Sequence, residues 1–336
     1  MRDVAGHAQA QARLARAVAS GQVSHAYLLT GPESIGKTTL ALAFARLLLC
    51  ERPNLETGDP CDSCDACRKV LHGNHPDVML VEPEDGKRLL GVDVVRESVV
   101  RHANLAPSQG RWRVFILPDV ERMTPNTLNA LLKTLEEPPA GVVLLLTSTD
   151  PESLLPTLIS RCQLLSLHPL AQSEIERLLI ERHQVAPAEA QALAALAQGR
   201  PGWAVRAHEH PELREERKQL LGQIIGLPRA SRDERLRMAG VLAKDGDMAR
   251  RALDEWTLWW RDVLLAAAGA DHLISDGEAR REAERLGRAI GRPRAEAFLH
   301  ALLAARELLD QNVNARLAFD VLMFDLPAPT ASSGRR

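Results

Sequence analysis

Aromatic residues make up only 3% of the 336-residue chain, and Tyr27 is the single tyrosine. So thin a supply of rings disfavours a single-strand nucleic-acid platform, which stacks bases on aromatic side chains. Net charge is equally scant. The 42 Lys plus Arg and 44 Asp plus Glu leave a formal −2, which excludes a uniformly basic coat but not a local basic surface inside an assembly. No stretch reaches the roughly 18 uninterrupted apolar residues of a membrane span. Val142–Leu146 and Val263–Ala268 are core-sized. Met1-Arg2-Asp3-Val4 has no apolar signal region. The expectation is a cytoplasmic protein with no membrane partner, in which five cysteines stay reduced and serve as ligands or free thiols.

What is present is an ordinary globular balance, 45% hydrophobic and 26% charged, over a length that suits two or three packed units. Up to about residue 168, short apolar runs alternate with helical stretches. The expected strands are Ala26–Thr30, Val78–Val81, Arg113–Leu117, Val142–Thr147 and Gln163–Leu167. Among the helices, Thr38–Leu49 buries Leu40, Phe44 and Leu47/Leu48. Asn126–Leu135 follows a Thr124 cap and Pro125, and stops before Pro138-Pro139. That alternation implies an α/β domain with a parallel sheet covered on both faces. After His168-Pro169 strand signals vanish. The expected division is a sheet domain over 1–168, a helical lid over 169–208, a helical collar over 209–326 and a disordered tail over 327–336.

Gly31-Pro32-Glu33-Ser34-Ile35-Gly36-Lys37-Thr38 matches G-x-x-x-x-G-K-[ST] without a gap, between an expected strand and an expected helix. Glycines let backbone N–H groups turn toward phosphate oxygens, the lysine adds a point charge, the threonine offers its hydroxyl to Mg²⁺, and the helix N-terminus adds a positive dipole end. The nucleotide-binding set is Gly31, Ser34, Gly36, Lys37, Thr38 and Thr39. Such a loop licenses binding, not hydrolysis. Hydrolysis normally needs carboxylates after a neighbouring strand, and Val114–Leu117 is followed by Pro118-Asp119. Little or no ATP turnover is expected.

Cys50 precedes Cys61-x-x-Cys64-x-x-Cys67. Three close cysteines and a fourth nearby can close a tetrahedral thiolate site, and closed four-cysteine sites are structural. The polar segment between them has little core, so a metal would supply its order. Structural zinc is the favoured reading, with unliganded thiols and a redox or iron–sulfur site as competitors.

His25-Ala26-Tyr27-Leu28-Leu29, the four cysteines, Asn129-Ala130-Leu131-Leu132-Lys133-Thr134-Leu135-Glu136-Glu137-Pro138-Pro139 and Ser160-Arg161-Cys162 occur in this order. Together they resemble bacterial DNA polymerase III clamp-loader subunits of the AAA+ superfamily. The resemblance covers about residues 4–205 by motif. It implies a nucleotide-binding sheet, a lid and a collar that joins five subunits, including gamma/tau motors and a delta subunit. That ring opens a sliding clamp and sets it on primer-template DNA.

Within the family, the motor type carries an Asp-Glu pair where this chain has Pro118-Asp119, and a lid arginine where it has Gly202. Both departures favour the non-motor delta-prime type. The intact phosphate loop leaves ATP or ADP binding open. The resemblance also assigns Arg161 as a finger that reaches a neighbour's ATP in trans, a task suited to a planar, permanently charged guanidinium, against the alternative of a surface arginine in a salt bridge. Thr147-Ser148-Thr149 ends a buried strand and is read either as hydrogen-bonding a γ-phosphate or lytic water, as the family's first sensor does, or as structural. Lys133, Glu136 and Glu137 read as helix-surface residues. Arg96, Arg101, Arg111 and Arg113 are candidates for phosphate contacts with DNA, against a solvated helix face. Arg281, Arg285, Arg288 and Arg292 read as one exposed helical face, and Trp256, Trp259 and Trp260 as core.

Overall fold

The computed structural model describes residues 1, 3–83, 89–149, 151–274, 279–310 and 313–328. It divides into two compact units, Met1–Val205 and Arg206–Arg336.

The first unit opens with α1 (Ala8–Ala19), β1 (Ala26–Thr30), α2 (Lys37–Leu49), α3 (Asp65–Leu71) and β2 (Val78–Leu80). Then come α4 (Val92–Val95), which runs on into a π-helical stretch over Arg96–Arg101, β3 (Arg113–Leu117) and α5 (Pro125–Glu136). It continues with β4 (Val142–Ser148), α6 (Pro156–Ile159), β5 (Gln163–Ser166), α7 (Gln172–His183) and α8 (Pro187–Ala197). The five expected strands are all present, each within one residue of its expected ends. The stretch near residues 93–103 is α4 followed by the wider π turns. Val95, Val99 and Ala103 are buried along it, while Arg96 and Arg101 face out.

All five strands are parallel, in the order β2-β3-β4-β1-β5. β1 lies between β4 and β5, with Leu28 beside Leu146 on one side and Leu164 on the other. A strand with neighbours on both sides and helices on both faces is apolar throughout, and every residue of β1, β3 and β4 is buried. Successive side chains serve opposite faces. Tyr27, Leu29, Ile116 and Leu145 pack with Leu40, Phe44 and Leu47 of α2. Leu28, Phe115, Leu144 and Leu146 pack with Leu128, Leu131 and Leu135 of α5. Thr124 caps α5 by accepting the Thr127 N–H, with Pro125 at the first helical position. This is the expected α/β arrangement, a parallel sheet with helical segments after it.

The division between the units falls inside α9 (Pro201–Glu209). The second unit continues with α10 (Glu212–Gly226), α11 (Arg232–Leu242), α12 (Gly246–Ala267), α13 (Arg280–Ile290), α14 (Arg292–Asp310) and α15 (Ala315–Asp325). Trp256, Trp259 and Trp260 of α12 are its core. Trp256 meets Phe319 edge-on at 5.9 Å, and Trp260 lies 4.5 Å from Phe298. Arg292 is not on the helix of Arg281, Arg285 and Arg288. Gly291, at φ +76°, ends α13, and Arg292 opens the next helix. Arg285 and Arg288 make ion pairs with Glu282 and Glu284 on α13 itself. Of the tail expected over 327–336, residues 327–328 carry no regular structure and 329–336 lie outside the described residues.

Candidate functional site

The phosphate loop leaves the end of β1 and curls back into α2. Three residues carry the curl at positive φ: Gly31 at +145°, Ser34 at +62° and Gly36 at +105°, the last as N-cap of α2. Gly31 is indispensable for a second reason, since a β-carbon there would lie 2.4 Å from the Leu167 carbonyl oxygen. Lys37 is buried, and its Nζ donates to the carbonyls of Gly31 at 2.8 Å and Pro32 at 3.0 Å. Burial pushes its pKa below the ordinary lysine value, against the opposing pull of Asp119, Glu121 and Glu33. Thr38 is half-buried and Thr39 exposed in the first turn of α2.

The loop is braced from outside. His7 Nε2 lies 3.0 Å from the Ile35 carbonyl oxygen, and the Gly202 N–H donates to the Ser34 carbonyl at 2.9 Å. Beside it is a cavity of about 320 Å³ lined by Asp3, Ile35, Gly36, Thr39, Leu178 and Gly202 among others. It adjoins a helix N-terminus whose N–H groups suit an anion.

The positions that the resemblance links to hydrolysis and sensing are occupied as follows. Pro118 offers no carboxylate. Asp119 adopts a left-handed conformation, φ +47°, with its N–H on Thr147 Oγ1 at 3.0 Å and its carboxylate 3.4 Å from Arg122. Burial raises its pKa above the usual aspartate value. The N–H and hydroxyl of Thr149 both donate to Glu121 Oε1, at 2.9 and 2.5 Å. Glu121 was not singled out in the sequence, because its role depends on β3 and β4 being neighbours. Arg200 has its guanidinium 5.9 Å from the Trp203 ring and its Nε on the Ala197 carbonyl.

Cys50, Cys61, Cys64 and Cys67 converge, with all four sulfurs within 4.8 Å of one another. Cys50 caps the C-terminus of α2 and Cys64 the N-terminus of α3. A zinc ion with Zn–S bonds of about 2.3 Å separates tetrahedral sulfurs by about 3.8 Å, so a small contraction would complete the site. Backbone N–H groups point at the sulfurs as thiolates require: Cys61 to Cys50 at 3.2 Å, Cys64 to Cys61 at 3.3 Å and Cys67 to Cys64 at 3.4 Å. Hydrogen bonds from Ser63 and Cys64 lower the Cys61 pKa to about 6. A small apolar cluster of Leu49, Ala66 and Val70 backs the group. Arg46 of α2 pairs with Asp62 at 3.1 Å and with Asp3, tying the cysteine segment to the helix of the phosphate loop.

Arg161 follows α6, one-third exposed. Its Nη1 donates to the Thr157 carbonyl at 2.8 Å, and its Nη2 pairs with Glu136 Oε1 at 2.8 Å. Neighbouring Cys162 packs against the α5 side of the sheet, and burial raises its pKa to about 12. The four arginines considered for DNA do not form one set. Arg113 is buried and paired with Asp77 at 3.0 Å, and also donates to the carbonyls of His102, Leu105 and Ala106. It is structural, because its strand is internal to the sheet. Arg96, Arg101 and Arg111 are exposed.

Residues 6–171 match the family model described as DNA polymerase III, delta subunit. Over this segment the chain is similar to clamp-loader delta-prime subunits. The delta-prime subunit of Pseudomonas aeruginosa is 43% identical over 202 residues, 60% of this chain and 60% of its own length. That of Bacillus subtilis is 34% identical over 209 residues, 62% and 61%. The tau subunit of Escherichia coli is 36% identical over 202 residues, 59% of this chain and 30% of its own. The chain thus spans about 60% of the length of the curated delta-prime relatives it matches. A solved gamma-subunit-related protein of Thermotoga maritima covers 94% of this chain and 97% of its own at 17% identity, with a TM-score of 0.46. Among the described residues, no helix is long and apolar enough to cross a membrane.

Proposed function

We propose that this chain is the delta-prime subunit of a bacterial DNA polymerase III clamp loader. In this reading it sits in a five-membered ring with gamma/tau motor subunits and a delta subunit, in the cytoplasm. It lends Arg161 to a motor's ATP and so supports loading of the sliding clamp onto primed DNA. The guanidinium would stabilise charge that builds on the transferring phosphoryl group. The observation that supports the reading is a contrast: an intact phosphate loop, contacted by the Gly202 N–H, occurs in a chain with Pro118 and Gly202 at the positions where the family's motor type carries an acidic residue and an arginine.

The phosphate loop itself would hold ATP or ADP without turning it over. Gly31, Ser34, Gly36 and Lys37 would cradle the phosphates, and Thr38 would meet Mg²⁺. The nucleoside would lie in the cavity beside Gly36 and Thr39. Binding requires Lys37 to exchange its two loop carbonyls for phosphate oxygens. The four cysteines would hold a structural zinc.

The 36% identity to a tau subunit favours one alternative, an ATP-hydrolysing gamma/tau-type motor. ATP turnover separates the two. The delta-prime reading expects none from the purified chain, and a fall of about tenfold or more in clamp loading by the reconstituted complex carrying Arg161→Ala. Mg²⁺-dependent turnover by the chain alone, abolished by Lys37→Ala, would identify the motor instead.

A further inference from the structure

Arg161 is held on two sides by this chain's own atoms. Thr157, one turn back, takes Nη1 through its carbonyl, and Glu136 takes Nη2 through Oε1, both at 2.8 Å. Glu136 is the last residue of α5, and Arg161 lies just past α6. The two helices are fixed against each other. Leu131 and Leu135 of α5 share one buried cluster with Leu158 of α6. The carboxylate therefore stands on backbone that the core immobilises, while half of its own surface remains open to solvent.

We propose that Glu136 is a positioning residue for Arg161, presenting the guanidinium to the neighbouring subunit's ATP. The inference rests on the reading of Arg161 as a finger donated in trans. An arginine side chain free in solvent loses rotameric entropy when it engages a phosphate. Two anchors on one flank remove much of that freedom in advance. Arginine has five N–H donors in a planar fork. Thr157 and, at 3.5 Å, the Ser160 hydroxyl take the Nη1 donors and Glu136 takes one on Nη2, so the Nε–H and the second Nη2 N–H remain for an incoming phosphoryl oxygen. The carboxylate also partly offsets the guanidinium's charge. Its contribution is therefore to geometry at the transition state rather than to ground-state attraction.

The test uses the reconstituted clamp loader with clamp and primed DNA, comparing Arg161→Ala, Glu136→Ala, Glu136→Gln and the Arg161→Ala/Glu136→Ala pair. Glu136→Ala is expected to lower the maximal loading rate about tenfold with the KM for ATP little changed. Glu136→Gln keeps a carbonyl oxygen for Nη2 and is expected to restore most of the rate. In the Arg161→Ala background, Glu136→Ala should cause no further loss. An unchanged rate for Glu136→Ala, or an equal loss in the presence and absence of Arg161, would overturn the positioning role while leaving the finger intact. A normal rate for Arg161→Ala overturns the finger reading, and the positioning role with it.

Discussion

The backbone N–H of Gly202 donates to the carbonyl of Ser34 at 2.9 Å, and a β-carbon at position 202 would stand just as close to that oxygen. The first turn of α9 thus rests directly on the phosphate loop. Restoring a sensing arginine there would not recreate a motor. Gly202→Arg is expected to destabilise the protein by about 1–3 kcal/mol, because the clash is with backbone rather than a yielding side chain. It should add no ATP turnover, since Pro118 is unchanged. Thermal melts and ATPase assays check both halves, and an undiminished melting temperature would contradict the contact.

The Asp77–Arg113 pair makes stability depend on acid. Burial alone would raise the Asp77 pKa, but the N–H groups of Ser108 and Gln109 and the Arg113 guanidinium outweigh it and hold it below the usual value. A depressed folded-state pKa gives stability that is fully present above the unfolded value of about 4 and is lost as pH falls through the folded one. Asp77→Asn should cost about 3 kcal/mol at neutral pH, since it leaves Arg113 buried and uncompensated. It should also flatten the acid limb of the stability curve. Urea midpoints measured between pH 7 and 3 test this, and parallel curves for variant and parent would refute it.

Much of this was readable from sequence for a reason of scale. The phosphate loop and the Cys61-x-x-Cys64-x-x-Cys67 run are local, and local spacing fixes local geometry. The strands were legible because internal parallel strands are uninterrupted apolar runs. Contacts that depend on packing were not. Glu136 and Arg161 are 25 residues apart and meet only because α5 and α6 share a core. Asp77, 36 residues before Arg113, converts a residue that reads as a surface cation into a buried strut. The π turns at Arg96–Arg101 carry the same amphipathic pattern as an α-helix, which pattern alone cannot separate.

The cysteine group predicts metal dependence. The protein is expected to purify with one zinc per chain, and Cys64→Ser to lose it. Chelation should lower the melting temperature of the parent and leave that of Cys64→Ser unmoved. Elemental analysis alongside calorimetry reads both. A metal-free chain as stable as the parent would rule out a structural site.

Cys162 should be chemically silent in the folded protein. With its pKa near 12, the reactive thiolate is a trace species at pH 8. Alkylation followed by peptide mass mapping should mark Cys162 readily only after denaturation. Fast labelling in the native state would place the thiol in solvent.

Helix α2 begins at Lys37 and ends beside Cys50. Its 13 residues make a rod of about 20 Å, with a charged cradle at one tip and a sulfur cage at the other. Arg46 rivets the shaft to the cage through Asp62. Stripping the cage would loosen the rod's far tip, and the cradle would feel it. Two preparations that differ in retained nucleotide should therefore be compared for bound metal before any difference in sequence or handling is blamed.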